Sequence, residues 1–225
     1  MEHRPIAPPA LNRIQQNWLA ARERRLLTWL CARLPASVTP DKLTAIGMFG
    51  AVMVFAGYLA SNLAPQWLWL SIVGYGVQWF GDSLDGSLAR YRKIERPSYG
   101  YFIDHSCDGL ANLLIVAGIG LSPFVTMDVA MVALAGYLLM SIHAFLSARV
   151  LGEFRLSYAA AGPTELRLML VAMTVVMMVV GQGHKVIGGA SGFDLFVGAI
   201  GAILIVLFIV QTILIGRQLA LSERR

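Results

Sequence analysis

Charge is scarce in this chain. Asp, Glu, Lys and Arg make up 14% of its 225 residues, against 57% hydrophobic ones, a balance outside the range of soluble domains. That excludes an ordinary soluble fold and leaves a membrane protein. Cysteine is scarcer still: Cys31 and Cys107 show neither a disulfide framework nor paired metal-ligand spacing and are read as packing residues. The first forty or so residues lack the short apolar core followed by small residues of a signal peptide. Repeats and low-complexity segments are absent, and little chain is left for a separately folding domain.

What is present is apolar length. A helix crosses the hydrocarbon with roughly 20 mostly apolar residues, and six stretches offer this: 43–62, 66–90, 99–121, 127–148, 165–182 and 191–216. The expected fold is all-α, a bundle of six transmembrane helices. Basic residues mark the cytoplasmic loops. With an even number of spans and both termini inside, all 18 Lys and Arg residues except Lys185 fall on the cytoplasmic side. The net charge of +5 therefore belongs beside anionic lipid headgroups, and nucleic acid is not an expected partner.

Residues 1–40 form a cytoplasmic segment, 41–217 the membrane domain and 218–225 a short cytoplasmic tail. Within the first, residues 11–34 place Ile14, Trp18, Leu19, Leu26, Trp29 and Leu30 largely on one helical side with arginines between them. This predicts an amphipathic juxtamembrane helix, either lying in the interface or packed on the bundle. Thr39 or Asp41 is placed to cap the first span. The connection 181–194 is assigned no role.

Two of the six stretches break the apolar rule. The second carries Asp82 and Asp85, and the third Asp104, His105 and Asp108. Carboxylates at membrane depth cost several kcal/mol unless paired, metal-bound or solvated, so such residues mark function. Spacings of three and four put each aspartate pair on one helical face. With a turn near Ile94 and Glu95, Asp85 comes level with Asp104 and Asp82 with Asp108. The two levels differ by only about 5 Å at 1.5 Å rise per residue.

Four negative charges in so small a volume repel, and divalent cations held by oxygen ligands relieve that repulsion. One or two Mg²⁺ or Mn²⁺ ions are expected. Gly86 and Gly100 allow close backbone approach, Ala89 leaves room beside the helix, and Arg90, Arg92 and Lys93 add positive charge at the mouth. Together these point to chemistry on a phosphate or diphosphate. Asp108, deepest on its span, is the candidate general base. His105 lies about 100° around the helix from Asp104 and is read as packing or orienting.

Read as one string, Asp82-x2-Asp85-Gly86-x2-Ala89-Arg90-x9-Gly100-x3-Asp104-x3-Asp108 resembles the signature of the CDP-alcohol phosphotransferase family. The family's usual interval between the arginine and the second glycine is eight residues; Tyr91 to Tyr99 here makes nine. The extra residue falls in the loop. The resemblance implies a six-helix fold that often forms homodimers, a two-metal aspartate site, and transfer of a substituted phosphate from a CDP-linked donor to an alcohol with release of CMP. It implies Asp82, Asp85, Asp104 and Asp108 as metal ligands, with Asp108 also the base. Gly86, Ala89 and Gly100 resemble positions lining the cytidine diphosphate pocket, and Arg90 is the motif arginine, set to contact the nucleotide or to hold a carboxylate.

Two kinds of donor fit that resemblance. The segment Asp104-His105-Ser106-Cys107-Asp108 is similar to the D-H-x-C-D of choline and ethanolamine phosphotransferases, unlike the D-P-x-A-D-K of phosphatidylglycerophosphate synthases. That favours neither inositol nor glycerol phosphate as the alcohol. The compact length instead suits prokaryotic enzymes that use CDP-diacylglycerol, in an inner membrane. Arg155 and Arg167, around the fourth loop, are candidate acceptor-binding residues, though arginines are expected in a cytoplasmic loop in any case. His143 is read as a packing histidine. The glycines Gly192, Gly198 and Gly201 suit close helix contact. The rival class is a cation-coupled transporter; the absence of repeats and the clustering of aspartates near one turn argue against it.

Overall fold

A computed structural model describes residues 12–13, 20–151, 153–154, 163–182, 185–187 and 189–223. The described residues are almost all helical. α1 (Ala20–Cys31) precedes six longer helices: α2 (Pro40–Ala60), α3 (Leu68–Arg92), α4 (Pro97–Leu121), α5 (Met127–Leu151), α6 (Pro163–Val180) and α7 (Gly192–Ser222). The six follow the six apolar stretches in order. Four of them, α2, α4, α5 and α7, are long and apolar enough to cross a membrane. α3 equals α4 and α5 in length, but it carries Asp82, Asp85, Arg90 and Arg92.

α1 is shorter than the helix expected over 11–34. Asn12–Arg13 instead forms a two-residue strand, β1, paired in parallel with β2 (Glu153–Phe154); Ile14, Trp18 and Leu19 lie outside the described residues. Of the two placements considered for this helix, packing against the bundle accounts for its buried face. Cys31, Leu27, Leu30 and Leu34 close over Leu84 and Leu88 of α3, while Leu26 and Trp29 face outward. Burial pushes the Cys31 thiol up from its ordinary value, against the nearby Arg92 and Arg90 guanidiniums.

Arg92 is held against the segment between α1 and α2. Its guanidinium donates to the carbonyls of Val38 (2.6 Å), Leu34 (3.0 Å) and Pro35 (2.9 Å). The Pro35 carbonyl also accepts from the Val38 N–H at 3.1 Å, and one planar fork of donors reaches all three acceptors. Arg92→Met is expected to lower stability by roughly 2–3 kcal/mol, the range for hydrogen bonds to a charged group. Thermal melting of the purified chain in detergent reads this out.

Thr39 is the cap of α2, its hydroxyl accepting from the Lys42 N–H at 3.3 Å. Asp41 pairs with Arg96 at the start of α4. α3 ends on Lys93 in the left-handed conformation (φ 57°), and the four residues Lys93–Arg96 make the turn, where it was expected.

α2 and α3 touch backbone to backbone. A Cβ added at Gly81 would stand 2.2 Å from Gly47 N and 2.4 Å from Leu43 O, and one at Gly50 would stand 2.3 Å from Gln78 N. With no hydrophobic effect between helices in lipid, such contacts and interhelical hydrogen bonds carry the packing. The Ser71 hydroxyl donates to Val54 O at 3.0 Å. Tyr58 of α2, Tyr75 of α3 and Thr174 of α6 meet through their buried hydroxyls, at 2.6 Å from Tyr58 to Thr174 and 3.3 Å from Tyr58 to Tyr75.

α5 and α7 pair in the same way. Gly201 lies against Ala133, and Gly136 against the Gly201 carbonyl, so Gly201 serves a contact within the chain. Gly198 lies near Val129, and Gly192 meets nothing within 4 Å. His143 stands between Ser147 and Thr212, 3.4 Å from each hydroxyl, as a packing histidine should. The connection before α7 has a use that its sequence concealed. Ser191 and Asp194 form a capping box, and the Asp194 carboxylate also accepts from Thr126 N at 2.7 Å, tying α7 to the start of α5.

Candidate metal and phosphate site

The two aspartate pairs meet in one pocket. Asp82, Asp85, Asp104 and Asp108 line it together with Thr44, Gly47 and Met48 of α2, Gln78 of α3, and Cys107 and Ala111 of α4. α4 rests on α2 and α5 more than on α3, so its aspartates face those of α3 across a cleft. The helical spacing of three and four residues keeps both members of each pair on the cleft side.

Each carboxylate has a distinct setting. Asp85 is buried: its Oδ2 accepts from the Thr44 hydroxyl at 2.7 Å and its Oδ1 from the Gly86 N–H at 2.5 Å. Asp82 Oδ2 accepts from Arg167 Nη2 at 2.9 Å. Asp104 and Asp108 flank His105, whose Nδ1 is 3.7 Å and 3.9 Å from their Oδ2 atoms. The Asp108 side chain is the most open of these three, 41% exposed against 33% for Asp104 and 25% for Asp82.

His105 is wedged between rings, with centroids 4.2 Å from Tyr101 and 5.1 Å from Phe145. That is the packing role expected of it. Its proximity to both α4 carboxylates is the part a helical-wheel angle did not convey: one oxygen from each of Asp104 and Asp108 and one ring nitrogen lie within 4.8 Å of one another.

Arg167 sits inside the pocket's charge network instead of waiting in a loop, its side chain only 14% exposed beside Asp82. Three residues earlier, the Thr164 hydroxyl donates to Glu23 at 3.0 Å, and Glu23 also accepts from Trp79 Nε1 at 2.8 Å. α1, α3 and α6 are thus pinned together one turn from the Arg167–Asp82 pair. Arg155, the other candidate acceptor residue, lies outside the described residues.

Gly86, Ala89, Arg90 and Gly100 are not part of the carboxylate lining. Gly86 lies under the Arg90 guanidinium, where an added Cβ would be 3.3 Å from Nη1, and Arg90 Nη2 donates to Ser87 Oγ at 3.3 Å. Gly100, in the first turn of α4, donates its N–H to the Arg96 carbonyl at 2.7 Å and has open space where a Cβ would stand.

The donor set suits a hard divalent cation. Four aspartates and Gln78 line the pocket, and ions such as Mg²⁺ select oxygen ligands. Among the described residues, the buried Gln78 Oε1 has no hydrogen-bond partner.

A family model described as CDP-alcohol phosphatidyltransferase matches residues 37–218. The chain is 40% identical over 92 residues to phosphatidylinositol phosphate synthase of Cutibacterium acnes, covering 40% of this chain and 41% of that protein. It is 27% identical over 128 residues to cholinephosphotransferase 1 of Danio rerio, covering 51% of this chain and 33% of that protein. The chain thus spans less than half the length of either relative.

Proposed function

The chain belongs to the CDP-alcohol phosphatidyltransferase family, and from that premise we propose that it is a phospholipid-biosynthetic transferase. It moves a substituted phosphate from a CDP-linked donor, CDP-diacylglycerol in our reading, to an alcohol and releases CMP. The observation that carries this is the convergence of Asp82, Asp85, Asp104 and Asp108 on one pocket.

These four aspartates hold one or two Mg²⁺ or Mn²⁺ ions in this reading. Bound there, the ions would neutralise charge on the diphosphate and on the departing CMP. Asp108 takes the proton of the acceptor hydroxyl, which turns a weak nucleophile into one able to attack phosphorus. Its openness relative to Asp82 and Asp104 supports that assignment. Gly86, Ala89, Arg90 and Gly100 hold the cytidine diphosphate. Arg167, now set against Asp82, offers its second face to an anionic acceptor, and Arg155 is its proposed companion.

All six long helices span the membrane in this proposal, with both termini and the aspartate site on the cytoplasmic side. The Lys and Arg residues that flank α3 and α4 support that orientation. Membrane lipids surround the bundle, and a second copy of the chain is its proposed partner.

The donor has a specific alternative. One relative makes phosphatidylinositol phosphate by name and the other transfers phosphocholine, and the Asp104-His105-Ser106-Cys107-Asp108 segment leans towards the second. Headgroup transfer from CDP-choline or CDP-ethanolamine to diacylglycerol would use the same carboxylates. Purified chain given each donor with a panel of alcohols, and the lipid product identified by mass, separates them. A new lipid only from CDP-diacylglycerol supports our reading; a new lipid only from CDP-choline or CDP-ethanolamine with diacylglycerol overturns the donor assignment.

A further inference from the structure

Gln78 is the residue in the pocket that nothing above has put to use. It precedes Asp82 by four residues on α3, so its side chain lies on the same face, one turn and about 6 Å farther from the turn into α4. It is 6% exposed, it lines the pocket, and its Oε1 has no hydrogen-bond partner among the described residues. The other residues one turn beyond Thr44 and Asp108 are Gly47, Met48 and Ala111. None of them carries a side-chain oxygen or nitrogen, so the membrane-ward floor of the pocket is apolar except for this carboxamide.

A buried carbonyl without a donor is costly, and native structures rarely keep one without a use. Packing does not explain it, because a methionine fills the same volume without the polar atom. Nor is its position accidental. A Cβ at Gly50 would lie 2.3 Å from Gln78 N and 2.7 Å from its Cα, so the α2 backbone fixes the turn of α3 from which Gln78 projects.

We propose that Gln78 is a further ligand group of this pocket, its Oε1 supplying the neutral oxygen on the floor side of the divalent cation held by Asp82 and Asp108. An amide oxygen adds a hard donor there without adding a fifth negative charge to four carboxylates. This role rests on the metal reading given above.

Mn²⁺ binding by the purified full chain in detergent, followed by electron paramagnetic resonance, tests the role without requiring turnover. Gln78→Met is expected to weaken Mn²⁺ binding by about tenfold or more, as loss of groups supporting a metal commonly does. Its melting temperature without metal should equal or exceed that of the unaltered chain, because an unsatisfied buried acceptor has been removed. Gln78→Glu, which keeps an oxygen in place, should retain binding. Mn²⁺ affinity within twofold of the unaltered chain in Gln78→Met would overturn the proposal. Failure of the unaltered chain to bind Mn²⁺ would instead overturn the cation reading itself, and this role with it.

A measurement on the unaltered chain serves if Gln78→Met does not fold. With glutamine side chains ¹³C-labelled at the carboxamide, the resonance missing from Gln78→Glu identifies Gln78. Substoichiometric Mn²⁺ should broaden that resonance away while Gln66, in the turn before α3, stays sharp. A Gln78 signal that survives would contradict the proposal.

Discussion

Asp108→Asn is expected to lower CMP release by about 10³-fold, within the range that general acid–base groups contribute. The change is isosteric and removes only the charge and the basic oxygen. The backbone contact at this position, from Asn112 Nδ2 to the Asp108 carbonyl at 2.7 Å, is unaffected, so the variant should fold and melt as the unaltered chain does. Removing one of the four negative charges that share this pocket lessens the repulsion among the remaining three. A loss of activity with unchanged or raised stability is the signature of a residue kept for chemistry. Direct assay of CMP by chromatography decides the matter, and activity above a tenth of the unaltered level would exclude Asp108 as the base.

Gly81→Val is expected to leave no folded chain. The first side-chain atom would be 2.2 Å from Gly47 N and 2.4 Å from Leu43 O. Both obstacles are backbone, so no rotamer change relieves them and α2 must move as a unit. That motion would undo the contact that sets Asp82, next in sequence, across from Asp108. The cost falls in the exceptional range above about 4–5 kcal/mol. Gly76, on the same helix with nothing within 4 Å of an added Cβ, is the control: Gly76→Ala should melt within about 1 kcal/mol of the unaltered chain. Monodispersity in detergent and thermal melting read both, and a well-folded Gly81→Val would refute the backbone contact.

The parts legible from sequence share one property, in that each is written in local periodicity. Apolar runs of sufficient length located α2 to α7, and intervals of three and four placed the aspartates on facing sides. The turn falls at Lys93–Arg96, around Ile94 and Glu95, and the four aspartates line one pocket.

What stayed hidden depends on long-range contacts, which periodicity does not encode. Arg92 looked like one more basic residue of a cytoplasmic loop, and only the approach of α1 gives it the carbonyls of Leu34, Pro35 and Val38. Arg167, 85 residues from Asp82 in sequence, had no local signal of that pairing. The glycines that join α2 to α3, Gly47, Gly50 and Gly81, carry no local signal of it, because a small residue gives no indication of which neighbour it admits. Gln78 is different: its interval of four from Asp82 was visible, and attention to charge alone hid it.

The most direct test of the central claim is the cation dependence of CMP release. Purified chain in lipid or detergent is given CDP-diacylglycerol, CDP-choline and CDP-ethanolamine in turn, each with suitable acceptors, with Mg²⁺, with Mn²⁺, or with excess chelator. Our account predicts CMP from one of these donors with either metal, none with chelator, and recovery when metal is restored. A folded chain that neither binds nor cleaves any of the three donors, or one that releases CMP equally well with chelator present, would contradict it.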